Sequence, residues 1–125
     1  MTELVTALPS ATAVRGQNDL TGRVALITGA GSGLGRAMAW GLACHGANIA
    51  IVDRDAAIAE RCAREISNGS GTRAVAVRAD VSREDDVENA TNRVLQDLGP
   101  IDILVNNAGH NIRKPLIDFS LAEFD

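Results

Sequence analysis

The chain contains no tyrosine, so no phenol hydroxyl is available in it to move a proton. Basic residues are not in excess: 12 Lys and Arg face 16 Asp and Glu, for a net charge of -4 and a pI near 5.1. With no basic patch or run, a nucleic-acid partner is excluded. Only two cysteines occur, Cys44 and Cys62, and their separation is not that of a metal site. At helix-like positions they read as reduced core or near-core residues of a cytoplasmic protein, and no metal site is expected. No apolar run approaches the length of a membrane span. The first residues carry Glu3 where a secretory signal would be basic, and no continuous apolar block follows. No repeat of solenoid period is evident.

What is present is the profile of one soluble globular domain, 46% hydrophobic and 22% charged. Residues 1–20, with Pro9 among Ser, Thr and Ala, read as a flexible arm, and residues 21–125 as the folded part. From Arg23 onward two textures alternate. Short β-rich runs are VALIT (24–28), NIAIVD (48–53), RAVAVRAD (73–80) and IDILVNN (101–107). Helix-period segments lie between them. The first follows a glycine cluster, puts Leu34, Met38 and Leu42 on one face, and stops at Gly46. The second, DAAIAERCAREIS, aligns Ile58, Cys62 and Ile66. The third opens with Ser82 and Asp85 as a variant capping box, carries Val87, Ala90, Thr91, Val94, Leu95 and Leu98, and ends at Gly99-Pro100. Strands apolar through their length belong to a parallel sheet covered on both faces. The expected fold is therefore α/β, a Rossmann-type doubly wound parallel sheet, incomplete, with strand order 3-2-1-4 present and the later strands missing.

The glycine cluster is TGAGSGLG, Thr28 to Gly35. It fails the G-x-G-x-x-G spacing: the third glycine falls on Leu34 or on Arg36, depending on where the template starts. Yet it follows a strand, opens a helix and begins a βαβ unit, the place where free helix N–H groups and the helix dipole favour a phosphate. Glycines there let backbone meet pyrophosphate without obstruction. Asp53 ends the second strand, 18 residues after Gly35. A carboxylate there can accept hydrogen bonds from adenosine ribose hydroxyls and repel a 2′-phosphate, which favours NAD over NADP. Asp is also common in turns and caps. Arg54 works against the preference, because a guanidinium beside Asp53 tolerates a 2′-phosphate.

The loop, with ADVS (79–82) and NNAG (106–109), resembles the short-chain dehydrogenase/reductase family, whose loop is T-G-x-x-x-G-x-G. Thr28, Gly29, Gly33 and Gly35 match it position for position, and the resemblance runs from about Leu20 to Asp125. It implies a cofactor site made of Gly29, Ser32, Gly33, Leu34, Gly35, Asp53, Asp80, Val81, Asn107, Ala108 and Gly109. Asp80 would bond the adenine and Val81 pack on it. Asn107, Ala108 and Gly109 would pass beside the ribose, and Asn106 would help tie the central strands. Read alone, Asp80 is also a residue preceding a Ser82 cap, and Asn106-Asn107 an ordinary strand-end turn. The segment HNIRKPLIDFSLAEFD is similar, locally, to the gluconate 5-dehydrogenase and sugar-acid branch. His110 there reads as a solvated loop residue, and Arg113 and Lys114 as an exposed basic pair.

The family uses a Tyr as acid/base, a Lys that lowers its pKa and an upstream Ser. With no tyrosine, and with Lys114 as its only lysine, the chain carries no catalytic residue that can be named. The expectation is the N-terminal portion of an NAD-dependent oxidoreductase that interconverts a secondary alcohol and a ketone, a homo-oligomer when full length. The chain alone is expected to be inactive. A stand-alone half-Rossmann module that binds nucleotide without catalysis is the alternative.

Overall fold

The computed structural model describes residues 18–109 and 115–124. The arm expected over residues 1–20 lies outside them up to residue 17, as do His110, Arg113 and Lys114. Four parallel strands, β1 (Val24–Thr28), β2 (Asn48–Asp53), β3 (Ala74–Arg78) and β4 (Ile103–Val105), form one sheet of order β3-β2-β1-β4. Between them run α1 (Gly33–Cys44), α2 (Ala56–Ser70) and α3 (Glu84–Leu98). A 3-10 turn at Leu116–Asp118 and α4 (Leu121–Phe124) follow. The third and fourth strands are shorter than the β-rich runs around them: Arg73, Ala79 and Asp80, and Asp102, Asn106 and Asn107, lie outside the ladders.

The two-residue period of each strand sorts the core into two layers. Ala25, Ile27, Ile49 and Ile51 face α1 and α2, where they meet Ala39, Ala43, Ala59, Cys62 and Ile66. Val24, Leu26, Ala50 and Val52 face α3 and meet Ala90 and Val94. Four isoleucines, Ile27, Ile49, Ile51 and Ile66, are fully buried in the first layer. At about 1.5–3 kcal/mol each, that layer supplies the larger share of apolar stabilisation.

The face of α1 is only in part the one expected from Leu34, Met38 and Leu42: Leu42 packs against the core and Met38 is half-buried, but the fully buried stripe lies beside them. Its buried residues are Gly35, Ala39, Ala43 and Cys44, and Leu34 is 70% exposed. Small side chains let this helix lie close to β1 and β2, while Trp40 and Leu42 pack at the margin of the same layer. The α2 face agrees with expectation: Cys62 and Ile66 are buried and Ile58 is half-buried. In α3, Ala90 and Val94 are buried, while Val87 and Leu95 are exposed. The capping box expected at Ser82 and Asp85 does not form. The N-cap is Arg83, without a side-chain cap bond, because the Ser82 hydroxyl donates to Asp80 Oδ1 at 2.6 Å. Gly46 and Gly99 end α1 and α3, both with positive φ.

Candidate functional site

The chain leaves β1 towards β2 on one side, and β4 later joins β1 on the other. At such a reversal the loops beyond the strands diverge and leave a crevice. Backbone bonds carry the ladder one step past the strand ends. The Gly29 N–H donates to Val52 O at 2.7 Å, and the Ala79 N–H to Asp53 O at 3.0 Å. This sets Gly29, Asp53 and Asp80 side by side at the carboxyl ends of β1, β2 and β3.

The crevice is a cleft of about 280 Å³ lined by Gly29, Val52, Asp53, Arg54, Ala79, Asp80, Val81, Ser82, Ala108 and Gly109. It gathers six of the eleven residues expected from the sequence: Gly29, Asp53, Asp80, Val81, Ala108 and Gly109. Ser32, Gly33 and Leu34 are exposed at the start of α1, outside the cleft lining. Gly35 and Asn107 lie beneath the loop and do not line it.

Two glycines act differently. Gly33 has φ +58°, which a side chain rarely adopts, and a Cβ on it would meet nothing within 4 Å. The space beside the helix start is open. Gly35 is a packing position: a Cβ would meet Gly29 O, sit 2.6 Å from Asn107 Nδ2 and 2.9 Å from Ala30 Cα. Ser32 caps α1 without a side-chain hydrogen bond, and no acidic residue occupies the first turn. By contrast, Asp55 caps α2 through the Ile58 N–H at 3.2 Å, and α3 opens with Glu84, Asp85 and Asp86. The α1 terminus therefore presents backbone donors and a positive dipole with no carboxylate of its own beside them.

Thr28 joins the two sides of the crevice. Its hydroxyl accepts from the Asn107 and Ala108 N–H groups, each at 3.0 Å, and lies 3.5 Å from Val105 O. The Asn107 side chain donates from Nδ2 to Thr28 O at 3.2 Å and Gly29 O at 3.1 Å. The tie expected of Asn106 is thus made by Asn107, and Asn106 is exposed. Sequence reasoning assigned Thr28 no role beyond matching a motif. A β-branched hydroxyl ending a fully apolar strand was the signal available.

Asp80 is held by a turn of its own. Its Oδ1 accepts from the Ser82 hydroxyl and from the Ser82 N–H at 3.0 Å, and these bonds, the hydroxyl first, push its pKa below the usual aspartate value. The Asp80 N–H donates to Asp86 Oδ2 at 2.9 Å, which also lies 3.4 Å from Arg78 Nη1. Asp86, an anchor for the turn that carries Asp80 and Val81, was not singled out from the sequence. Among the described residues no group of three or more His, Cys, Asp or Glu could hold a metal ion. No helix of the described residues is long and apolar enough to cross a membrane. Both cysteines are buried, and the Cys62 thiol donates to Ala30 O at 3.3 Å.

Residues 23–125 match the family described as short chain dehydrogenase. A 2-dehydro-3-deoxy-D-gluconate 5-dehydrogenase of Formosa agariphila is 40% identical over 112 residues, which are 85% of this chain and 40% of that protein. A 5-keto-D-gluconate 5-reductase of Escherichia coli is 38% identical, over 85% of this chain and 41% of its own length. Among solved structures, L-sorbose reductase from Gluconobacter frateurii, complexed with NADPH and L-sorbose, superposes with a TM-score of 0.81 at 34% identity. It is covered over 40% of its length by 85% of this chain. A 3-ketoacyl-(acyl-carrier-protein) reductase from Brucella melitensis, complexed with NADH, gives 0.76 at 48% identity, with 85% of this chain over 43% of that one. The chain spans about two fifths of the length of these relatives.

Proposed function

The chain belongs to the short-chain dehydrogenase family, and from that premise we propose that its cleft holds the adenosine and pyrophosphate half of NAD for an oxidoreductase. One observation carries the reading. Asp53 lines the cleft at the sheet's reversal point, and the glycine loop bonded to it through the Gly31 N–H runs directly into an α1 start that has no acidic residue in its first turn. The backbone N–H groups at Ser32, Gly33, Leu34 and Gly35 would take the pyrophosphate. Asp53 would accept from the ribose hydroxyls, Asp80 and Val81 would border the adenine, and Asn107, Ala108 and Gly109 would pass beside the second ribose. When bound, the nicotinamide gives or takes a hydride, and the reaction class is a secondary alcohol exchanged with a ketone. Sugar acids and polyols are the substrate class, on the strength of the dehydrogenases and reductases that this chain resembles.

The acid–base step needs a proton donor to the alkoxide. With no tyrosine in these 125 residues, we assign that step to polypeptide outside them, so this chain binds cofactor and does not turn it over. NAD is favoured over NADP by Asp53. Two buried thiols suit a reducing cytoplasm, and the intact enzyme is proposed to be a homo-oligomer.

Calorimetric titration with NAD and ADP-ribose tests the site. Saturable binding is expected, weakened at least tenfold by Gly33→Val, since φ +58° disfavours a β-branched residue and its methyls would fill the open space. A folded chain that binds neither ligand refutes the reading. The absence of tyrosine also favours a second one, a stand-alone nucleotide-binding module. Coding DNA beyond Asp125 separates the two: a Ser followed by Y-x-x-x-K supports the enzyme, and a stop codon supports the module.

A further inference from the structure

Gly31 is not one of the glycines in the T-G-x-x-x-G-x-G pattern, and its φ does not lie in the left-handed region. It is nevertheless buried, and a Cβ there would sit 2.6 Å from Ile58 Cγ2 and 2.9 Å from Asp53 Oδ2. The Gly31 N–H donates to that same Oδ2 at 3.0 Å. On the other oxygen, the Asp55 N–H donates to Oδ1 at 3.0 Å. The Asp53 carboxylate is therefore gripped from two sides by main chain, one grip belonging to the glycine loop and the other to the start of α2.

An ionised carboxylate offers about four lone-pair sites. Two are taken by these amides, and the others can face the cleft that Asp53 lines. That arrangement suits two vicinal ribose hydroxyls. A 2′-phosphate on the same ribose requires the carboxylate to turn aside, and Arg54, which lines the same cleft, is placed to attract it once that happens. The grip on Asp53 is what opposes the turn. We infer that Gly31 is the positioning residue that fixes the Asp53 carboxylate and thereby sets the selectivity of the cleft for NAD over NADP, an inference that rests on the dinucleotide reading above.

Two groups stand in the way when Gly31 acquires a side chain. Ile58 is β-branched and stiff in its helix, whereas the Asp53 carboxylate is the end of a rotatable side chain. In Gly31→Ala the tighter contact, with Ile58 Cγ2, forces the loop or the α2 side chain to shift, and the carboxylate turns away as well, so the amide bond at Oδ2 lengthens or breaks.

The test titrates the full chain and Gly31→Ala with ADP-ribose and with 2′-phospho-ADP-ribose. The ratio of the two affinities is expected to fall about tenfold or more in the variant, mainly through weaker ADP-ribose binding. An unchanged ratio in a folded variant overturns the inference. So does an equal loss for both ligands, the mark of a glycine needed only for packing. A second measurement needs no variant. In the unaltered chain, the hydrogen-exchange protection of the Gly31 amide, which reads its bond to Asp53, is expected to persist when ADP-ribose saturates the site and to fall when the 2′-phosphorylated ligand does. An amide that responds alike to both overturns the inference. If the unaltered chain binds neither ligand, the dinucleotide reading itself falls and takes the inference with it. Binding with intact selectivity in Gly31→Ala removes the inference alone.

Discussion

Replacing Thr28 by Val isolates the junction between β1 and the 106–109 turn. The change keeps the shape of a side chain that is 8% exposed and removes one oxygen. That oxygen accepts from two backbone amides, those of Asn107 and Ala108, each at 3.0 Å. Its own donation, to Val105 O at 3.5 Å, is long enough to count for little. An amide left without a partner in a buried place costs about 1–3 kcal/mol. Asn107 is half-buried and Ala108 exposed, so water can reach the second amide more readily than the first. The expected loss is about 2 kcal/mol. Urea unfolding followed through Trp40, the single tryptophan, measures it. With a slope of about 1–2 kcal/mol/M for a domain of this size, the midpoint should fall by about 1–2 M without a change in slope. Thr28→Ser keeps the oxygen and should lose only about 1 kcal/mol, for its missing methyl. A valine variant within about 0.5 kcal/mol of the parent, or a serine variant as unstable as the valine one, would refute the reasoning.

Asp53→Ala should abolish the preference for ADP-ribose over its 2′-phosphate, with Arg54 left to attract the phosphate; an unchanged preference on calorimetric titration counts against the ribose role. In Gly69→Ala the new Cβ would sit 2.5 Å from Trp40 Cη2 and 2.7 Å from Cζ3. Alanine gains about 1 kcal/mol over glycine in a helix, but over-packing costs about 1–3. A net loss of stability with altered Trp40 emission is therefore expected, and a stabilised variant would show that the ring moves freely. Asp80 titrates below the usual aspartate value because Ser82 donates to it twice. A group with a depressed folded pKa supports the fold above its unfolded pKa and loses that support as pH falls through the folded one. The turn at residues 80–82 should thus loosen only in acid, below the ordinary aspartate range. In Ser82→Ala the titration, followed by NMR at the carboxylate carbon, should move upward; a fixed midpoint would exclude Ser82 as the cause.

Much of the molecule is legible without coordinates, for reasons that differ by element. β1 and β2 are apolar throughout and buried on both faces, so their limits, Val24–Thr28 and Asn48–Asp53, follow from composition. Their neighbours β3 and β4 lie at the two edges of the sheet, where pairing stops short of the apolar run, and their ends were not readable. The face of α1 was read only in part, right at Leu42 and wrong at Leu34, because periodicity weighs large residues, whereas a helix that must approach β1 closely buries its smallest ones, Gly35, Ala39 and Ala43. Ser82 was misplaced as a cap because the side-chain bond that decides it, to Asp80, competes locally with capping.

The sequence by itself determined the order of strands and helices, the place of the glycine loop and the carboxylate that follows β2. Those features rest on chain-local chemistry: apolar runs, helix periods and glycines at fixed spacing. Only the tertiary structure decided which groups hold one another. Thr28 meets Asn107 across 79 residues, and Gly31 meets Asp53 across 22. Both contacts exist because parallel strands bring the ends of β1, β2 and β4 to one edge of the sheet. No local pattern encodes that a hydroxyl or an amide at one strand end will find its partner in the loop beyond another.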